Sequence, residues 1–183
     1  MLLNKTVVLV GMMGSGKTAV GKALAAALNV SFWDSDHEIS VAANRSISEI
    51  FERDGDTFFR IVESQVIKRL LHGSPCVLST GGGAFMSTEN RTLIAELGIS
   101  VFLSADLQLL WERVRHKSSR PLLKTSNPKA TLTKIFEDRK IQYDKAELTI
   151  TSSVSCSIAQ TTQNVLDALA QRPDVLNTVG VQI

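Results

Sequence analysis

Apolar and polar positions along this chain follow two alternating patterns. Five short runs are enriched in β-branched and apolar residues, which is typical of strands. The runs are Thr6 to Val10, Val30 to Trp33, Cys76 to Ser79, Ile99 to Leu103 and Leu148 to Thr151. Segments with helical spacing separate them. This alternation predicts βαβ units, and therefore an α/β fold with a parallel sheet covered by helices on both faces.

The helical segments are recognised by apolar residues that recur every three to four positions. Val20, Leu24 and Leu28 make one such stripe, and the stretch from Thr57 to Leu71 makes a second. A third stripe ends before Gly98, which we interpret as a helix C-cap.

Three segments fit this layered pattern less well. Residues 34–73 separate two strands by 40 positions, enough for several helices and a subdomain that stands off the sheet. The stretch from Lys117 to Lys129 is basic and rich in serine and proline, which predicts a mobile loop. Residues 171–183 contain Pro173 and Gly180, and we expect this tail to be frayed or loosely docked.

Composition narrows the class of protein. A length of 183 residues predicts one domain, and 44% hydrophobic with 21% charged residues is ordinary for a soluble globular protein. The net charge of +2 is too close to neutral to argue for wholesale nucleic-acid or membrane-surface binding. The chain has neither the long apolar run of a membrane-spanning helix nor a secretory signal. Cys76 and Cys156 are far apart without metal-like spacing, so we expect two reduced thiols and a cytoplasmic location.

A complete phosphate-loop pattern, GxxxxGK[ST], follows the first predicted strand. It runs from Gly11 to Thr18 and opens directly into the first predicted helix. In such a loop, successive backbone N–H groups and the helix N-terminus bind phosphate oxygens. Lys17 is expected to reach the β- and γ-phosphates, and Thr18 is expected to offer its hydroxyl to Mg²⁺. The alternative is a glycine-rich turn without a ligand.

Two carboxylates follow the second predicted strand. Asp34 and Asp36 lie at its carboxyl end, where open α/β sheets bind ligands. One could hold Mg²⁺ through water, and the other could accept a proton from an attacking hydroxyl. The alternative is that either residue is only the N-cap of the next helix.

Glycines and arginines complete the set of candidates. Gly81, Gly82 and Gly83 follow the third strand, where they either admit a ligand close to the backbone or simply form a turn. Single arginines are more often surface residues than functional ones. The candidates are Arg60, which Glu63 could orient at i+3, together with Arg113, Arg120 and Arg139.

Taken in order, these motifs resemble the shikimate kinase family of small P-loop kinases. The resemblance rests on the phosphate loop, the two aspartates, Phe59-Arg60, the three glycines, Arg120-Pro121-Leu122-Leu123, and Arg139 followed by Tyr143. It spans about residues 5–170. It implies a five-stranded parallel sheet in the order 2-3-1-4-5, a substrate-binding subdomain at residues 34–63 and a lid at residues 112–128. The activity implied is ATP-dependent phosphorylation of shikimate to shikimate 3-phosphate, in the pathway to chorismate and aromatic amino acids.

The resemblance also implies a role for individual residues. Asp36 would bind the acceptor hydroxyls and act as the base, while Asp34 would contact Mg²⁺ through water. Arg60 and Arg139 would clamp the carboxylate of shikimate beside the three glycines, and Arg120 would reach both substrates from the lid. ATP would be bound by Gly14, Ser15, Gly16, Lys17, Thr18, Ala19, Arg113 and Arg120. Where family members often have a proline at the adenine, this chain has Ser152 to Cys156.

Two other functions remain open from the sequence. A related kinase acting on gluconate or a nucleoside monophosphate would use the same architecture, because arginines that clamp a carboxylate could equally clamp a phosphate. A catalytically silent nucleotide-binding relative would be expected to have lost Lys17, Asp34 or Asp36, and all three are present. We expect a monomer that binds neither nucleic acid nor membrane.

Overall fold

Five parallel strands form the main sheet, and they follow the apolar runs of the sequence. The computed structural model describes residues 1–116, 121–123, 125–153 and 156–178. In this part of the chain the strands are β1 Leu2–Leu3, β2 Thr6–Val10, β3 Phe32–Asp34, β4 Val77–Ser79, β5 Gly98–Ala105, β6 Leu148–Ser152 and β7 Leu176–Asn177. β3 starts two residues later than predicted, and β5 extends further at both ends.

The strand order places the three segments with candidate chemistry side by side. The main sheet runs β3-β4-β2-β5-β6, and all of its pairs are parallel. Counted along the chain within this sheet, the order is 2-3-1-4-5, as the resemblance implied. Because parallel strands end at the same edge, the segments that follow β2, β3 and β4 meet there.

Helices cover both faces of the sheet. Their bounds are α1 Lys17–Leu28, α2 Ser35–Ala43, α3 Ile47–Leu71, α4 Thr88–Leu97, α5 Leu107–Val114, α6 Pro128–Tyr143 and α7 Ile158–Ala170, with short 3₁₀ helices at Ala84–Met86 and Pro121–Leu123. The predicted helix from Thr57 to Leu71 is the second part of α3. A capping box between Ser46 and Glu49 starts this helix, and a kink at Gly55, with φ 81°, divides it.

The core has two layers, one on each face of the sheet. Val7 and Leu9 of β2 point toward α1 and α7, while Val8 and Val10 point toward the helices on the other face. All four side chains are essentially inaccessible to solvent. Burial of each contributes roughly 1.5–3 kcal/mol, so the central strand holds the following loop in a fixed position.

A third, smaller cluster lies between α2 and α3. Ile39, Ile50, Phe59 and Val66 are buried there, separate from the two main layers. The segment between β3 and β4 therefore has apolar packing of its own. That residues 34–63 serve as a substrate-binding subdomain stays a prediction.

The C-terminal segment, which we expected to be frayed or loosely docked, is docked where the structure describes it. In its described part, residues 171–178, Val175 and Leu176 are buried beneath α7 and β7 pairs antiparallel with β1. Lys5 Nζ also lies 3.1 Å from Asp174 Oδ2. Pro173 therefore precedes a docked strand, and the driving force is burial of two apolar side chains.

Two further expectations can be compared with the described residues. Cys76 and Cys156 are both free, as predicted. No helix in the described ranges is both long enough and apolar enough to span a membrane.

Candidate active site

The phosphate loop connects the buried end of β2 to the first turn of α1. Gly14 and Gly16 have positive φ angles of 84° and 99°, and Gly16 is the N-cap of α1. The Lys17 ammonium donates to the carbonyl oxygens of Gly11 at 2.8 Å and Met12 at 2.9 Å. The predicted strand, loop and helix are thus present. Lys17 lies against the phosphate loop, as its place in the motif predicted.

The Asp34 carboxylate accepts hydrogen bonds from both α2 and the phosphate-loop segment. Its Oδ1 accepts the Asp36 N–H at 3.1 Å, which makes it the N-cap of α2. Its Oδ2 accepts the Thr18 hydroxyl at 3.1 Å, which joins β3 to the phosphate loop. Asp34 is therefore an N-cap, but it is not only an N-cap, because it also contacts the other candidate metal ligand.

The Thr18 and Asp34 oxygens fit Mg²⁺. This ion prefers oxygen ligands and usually takes only one or two protein carboxylates besides phosphates and water. Within the described ranges no group of three or more His, Cys, Asp or Glu residues could hold a metal by itself. An ion at this position would therefore need nucleotide phosphates to complete its shell.

Asp36 lies where two cavities meet. One cavity, of about 460 Å³, extends along the phosphate loop, and the other, of about 440 Å³, extends toward α3. Both are lined by Met13, Asp36, Gly81 and Gly82. A group bound in the second cavity would therefore meet one bound at the phosphate loop beside the Asp36 carboxylate.

Arg60 is held at the second cavity by charge and by aromatic rings. Its Nη1 lies 2.7 Å from Glu63 Oε2 and its Nε lies 3.2 Å from Asp56 Oδ1. The guanidinium also stands 5.0 Å from the ring centroid of Phe59 and 5.9 Å from that of Phe51. The prediction that Glu63 orients Arg60 is confirmed.

Glu63 is a buried carboxylate with an unusual environment. Only 1% of the residue is exposed. Burial raises the pKa of Glu63 to about 7, although Arg60 acts in the opposite direction, and the charge of Asp36 raises the pKa further. Glu63 therefore changes its charge close to neutral pH.

The three glycines lie against these charged groups. A Cβ on Gly81 would be 2.7 Å from Asp36 Oδ1 and 2.9 Å from Glu63 Oε1, so no side chain fits there. The Gly82 carbonyl accepts hydrogen bonds from Arg139 Nη1, at 2.9 Å, and from the Tyr143 hydroxyl. The glycine segment thus admits neighbouring groups close to its backbone, and Arg139 reaches it from α6.

The remaining candidates have different outcomes. Arg113 donates from α5 to the Gly14 carbonyl at 3.1 Å and lines the first cavity, as does Ala19. Arg120 lies outside the described residues, as do residues 117–119 and 124 of the predicted lid. Leu122, which is described, lines the second cavity.

Sequence reasoning missed several lining residues. Phe51 of the second cavity carries no motif, and its position depends on the kinked path of α3. Cys156 lines the first cavity, where hydrogen bonds from Ser153 lower the pKa of its thiol. Residues 154 and 155, between the two, lie outside the described part of the chain. The resemblance had indicated that this segment approaches adenine, but only the fold shows which side chain faces the cavity.

Comparison with protein families gives a match over most of the chain. The family model described as shikimate kinase matches residues 13–170. A shikimate kinase from Cereibacter sphaeroides is 61% identical over 176 residues, which cover 96% of this chain and 88% of the relative. One from Ruegeria pomeroyi is 60% identical, with 95% and 89% covered.

Solved structures agree with this match. A shikimate kinase from Acinetobacter baumannii in complex with shikimate superposes with a TM-score of 0.85 at 35% identity, covering 91% of this chain and 93% of that chain. A gluconokinase from Sinorhizobium meliloti has a TM-score of 0.60 at 20% identity, covering 93% and 94% of the two chains. The second similarity concerns the fold alone.

Proposed function

We propose, since the chain belongs to the shikimate kinase family, that it transfers the γ-phosphoryl group of ATP to the 3-hydroxyl of shikimate with the help of Mg²⁺. The observation that carries the proposal is the position of Asp36, which lines both the phosphate-loop cavity and the cavity beside Arg60. Direct transfer needs the donor and the acceptor to meet at one point, and Asp36 would lie there because it lines both cavities.

The acceptor cavity is suited to an anionic alcohol. Arg60 and Arg139 both line it, and a guanidinium binds a carboxylate through two parallel hydrogen bonds. Asp36 would accept the hydrogen bond of the reacting hydroxyl and remove its proton as the bond to phosphorus forms. The shikimate carboxylate would then be bound at the arginines and the hydroxyl at Asp36.

The nucleotide cavity would bind ATP through its backbone and its charges. The phosphate loop, with Gly14, Ser15 and Gly16, would donate N–H groups to the phosphates, and Lys17 would neutralise them. Arg113 and Ala19 line the same cavity. Thr18 and Asp34 would hold Mg²⁺, which when bound neutralises charge on the phosphates.

Three further expectations belong to this proposal. Arg120 would enter from the lid, residues 112–128, and stabilise the transferring phosphoryl group. The enzyme would act as a cytoplasmic monomer, without nucleic acid or membrane as partners. The net charge of +2 is consistent with small anionic substrates rather than a polyanion.

A coupled assay of ADP release tests the proposal. The purified chain is given MgATP with shikimate, gluconate or a nucleoside monophosphate in separate reactions. We expect ADP release that depends on shikimate and is abolished by EDTA, and that is slower by roughly 10²-fold or more in the control variant Asp36→Asn. No shikimate-dependent release, or faster release with gluconate or a nucleoside monophosphate, would contradict it.

A further inference from the structure

Tyr143 is a buried residue of the last turn of α6 for which the proposed chemistry has no role. Only 1% of it is exposed, and its ring stacks on Phe102 of β5 with the centroids 5.0 Å apart. Its hydroxyl donates to the Gly82 carbonyl. Arg139, one helical turn earlier, donates to the same oxygen. One face of α6 therefore binds one carbonyl twice.

The Gly82 backbone lies between the acceptor cavity and the phosphate loop. A Cβ placed on Gly82 would lie 3.6 Å from the Gly11 carbonyl oxygen and 3.7 Å from the Met13 nitrogen. A displacement of Gly82 would therefore change the separation between the acceptor pocket and the loop that is to hold the phosphates.

The aromatic ring of Tyr143 contacts the other side of the same junction. Phe102, on which it stacks, pairs with Val10, the residue immediately before the phosphate loop. A Cβ on Gly11 would lie only 3.4 Å from Phe102 Cδ2. The hydroxyl of Tyr143 thus contacts the glycine segment, and its ring contacts Phe102, which packs against the start of the phosphate loop.

The hydroxyl is well suited to a fixed role. Burial raises the pKa of Tyr143 to about 12, so the group remains a neutral proton donor at neutral pH. Arg139 has five N–H donors, so it can engage a carboxylate while it keeps its bond to Gly82, and the Tyr143 hydroxyl gives the same carbonyl a second donor that has no substrate to bind.

We propose that Tyr143 is a positioning residue for phosphoryl transfer: its hydroxyl fixes the Gly82 carbonyl, and with it the distance and orientation between the acceptor pocket and the phosphate loop. This inference rests on the proposed function, because its effect is measured on that reaction. Without the hydroxyl, Arg139 would be the one side-chain donor left to the Gly82 carbonyl among the described residues, and it would also have to bind substrate. Misplacement of about 1 Å at a reaction centre can cost roughly 10²-fold in rate.

The first test is Tyr143→Phe, which removes one oxygen and retains the ring that stacks on Phe102. We expect kcat to fall by roughly tenfold or more and the KM for shikimate to rise, while the KM for ATP stays within about twofold of wild type. A kcat within about twofold of wild type would overturn the inference. A wild-type chain that does not phosphorylate shikimate would instead overturn the proposed function.

A matched control separates positioning from general stability. Thr6 is also buried, lies at the opposite end of β2 from the phosphate loop, and its hydroxyl accepts the Cys76 N–H at 3.3 Å. Thr6→Val removes this hydroxyl, and we expect a lower Tm with kcat unchanged. An equal loss of kcat in Thr6→Val and Tyr143→Phe would mean that Tyr143 acts only through stability.

A second measurement does not depend on the folding of the variant. The chain contains one tyrosine, so growth on 3-fluorotyrosine labels position 143 alone. We expect one ¹⁹F resonance whose chemical shift changes when shikimate saturates the enzyme, because Arg139 and Gly82 adjust around the hydroxyl. A resonance that shikimate at saturating concentration leaves unmoved would count against the inference.

Discussion

Glu63 Oε2 lies 2.7 Å from Nη1 of Arg60, and the Glu63 side chain is almost fully buried while the Arg60 side chain is about one-third exposed. Both residues line the acceptor cavity, Arg60 with a partly exposed side chain and Glu63 with a buried one. A carboxylate in this setting orients the arginine that we propose for substrate binding. It also makes folding sensitive to pH, because its own charge is poorly solvated.

The first prediction concerns that pH dependence. Burial raises the pKa of Glu63 from its ordinary value of 4.5 to about 7 in the folded protein, so between these pH values the folded state holds a proton that the unfolded state has lost. Stability should then decrease as the pH rises from about 4.5 to about 7. Glu63→Gln cannot ionise, so its stability relative to wild type should rise over that interval by up to roughly 3 kcal/mol, measured by urea unfolding.

The matched variant for this test is Asp56→Asn. Asp56 is the second carboxylate paired with Arg60, and the Asp56 side chain is 67% exposed. Exposed ion pairs contribute about 0–1 kcal/mol, so we expect this variant to stay close to wild type at both ends of the pH range. Parallel stability curves for wild type and Glu63→Gln would contradict the assignment.

The second prediction separates the two aspartates. Asp36→Asn retains size but removes the proton acceptor, so kcat should fall by roughly 10²-fold or more while ATP binding survives. Asp34→Asn should instead raise the Mg²⁺ concentration needed for half-maximal rate, because Asp34 accepts the Thr18 hydroxyl at the proposed ion site. Rates measured over a series of Mg²⁺ concentrations test this difference. Identical metal dependence in the two variants would disagree with the assigned roles.

The main sheet and the phosphate loop could be predicted because they rest on long or specific patterns. A buried strand needs a continuous apolar run, as Thr6 to Val10 shows, and the phosphate loop needs glycines at fixed positions. Gly55 gave no comparable signal, since a single glycine inside a helical pattern does not reveal a kink. The two-residue strands β1 and β7 are too short for any periodicity, and only their pairing defines them.

The candidate site was predictable in part for the same reason. Asp34 ends β3 and Asp36 lies in the first turn of α2, so their place at the sheet edge follows from topology. Arg113 donates to Gly14 across 99 positions of the chain, a contact that no local pattern contains. The family resemblance placed Arg113 at the nucleotide site, and the packing of α5 beside the phosphate loop explains its contact with Gly14.

The third prediction concerns Arg120, which lies outside the described residues, so that its role stays a prediction. If it neutralises charge that is fully developed only in the transition state, Arg120→Ala should lower kcat by roughly 10²-fold or more with little change in ATP affinity. Arg115→Ala is a suitable control, since Arg115 pairs with Glu112 at 2.8 Å on the surface. Steady-state kinetics with equilibrium ATP binding give both quantities, and a loss confined to ATP affinity would speak against a transition-state role.

The last prediction concerns the docked C-terminal segment. Leu176 is 1% exposed and pairs with Leu3, whereas Leu2, in the same two-stranded sheet, is 64% exposed. Leu176→Ala leaves a cavity under α7 and should reduce the free energy of unfolding by about 2–5 kcal/mol.

Leu2→Ala makes the same chemical change on the surface, so it should stay within about 0.5 kcal/mol of wild type. Because neither residue lines the two cavities, kcat should be preserved in both variants below their unfolding temperatures. Equal stabilities of Leu176→Ala and Leu2→Ala in urea would mean that the segment is only loosely attached, as its sequence had suggested.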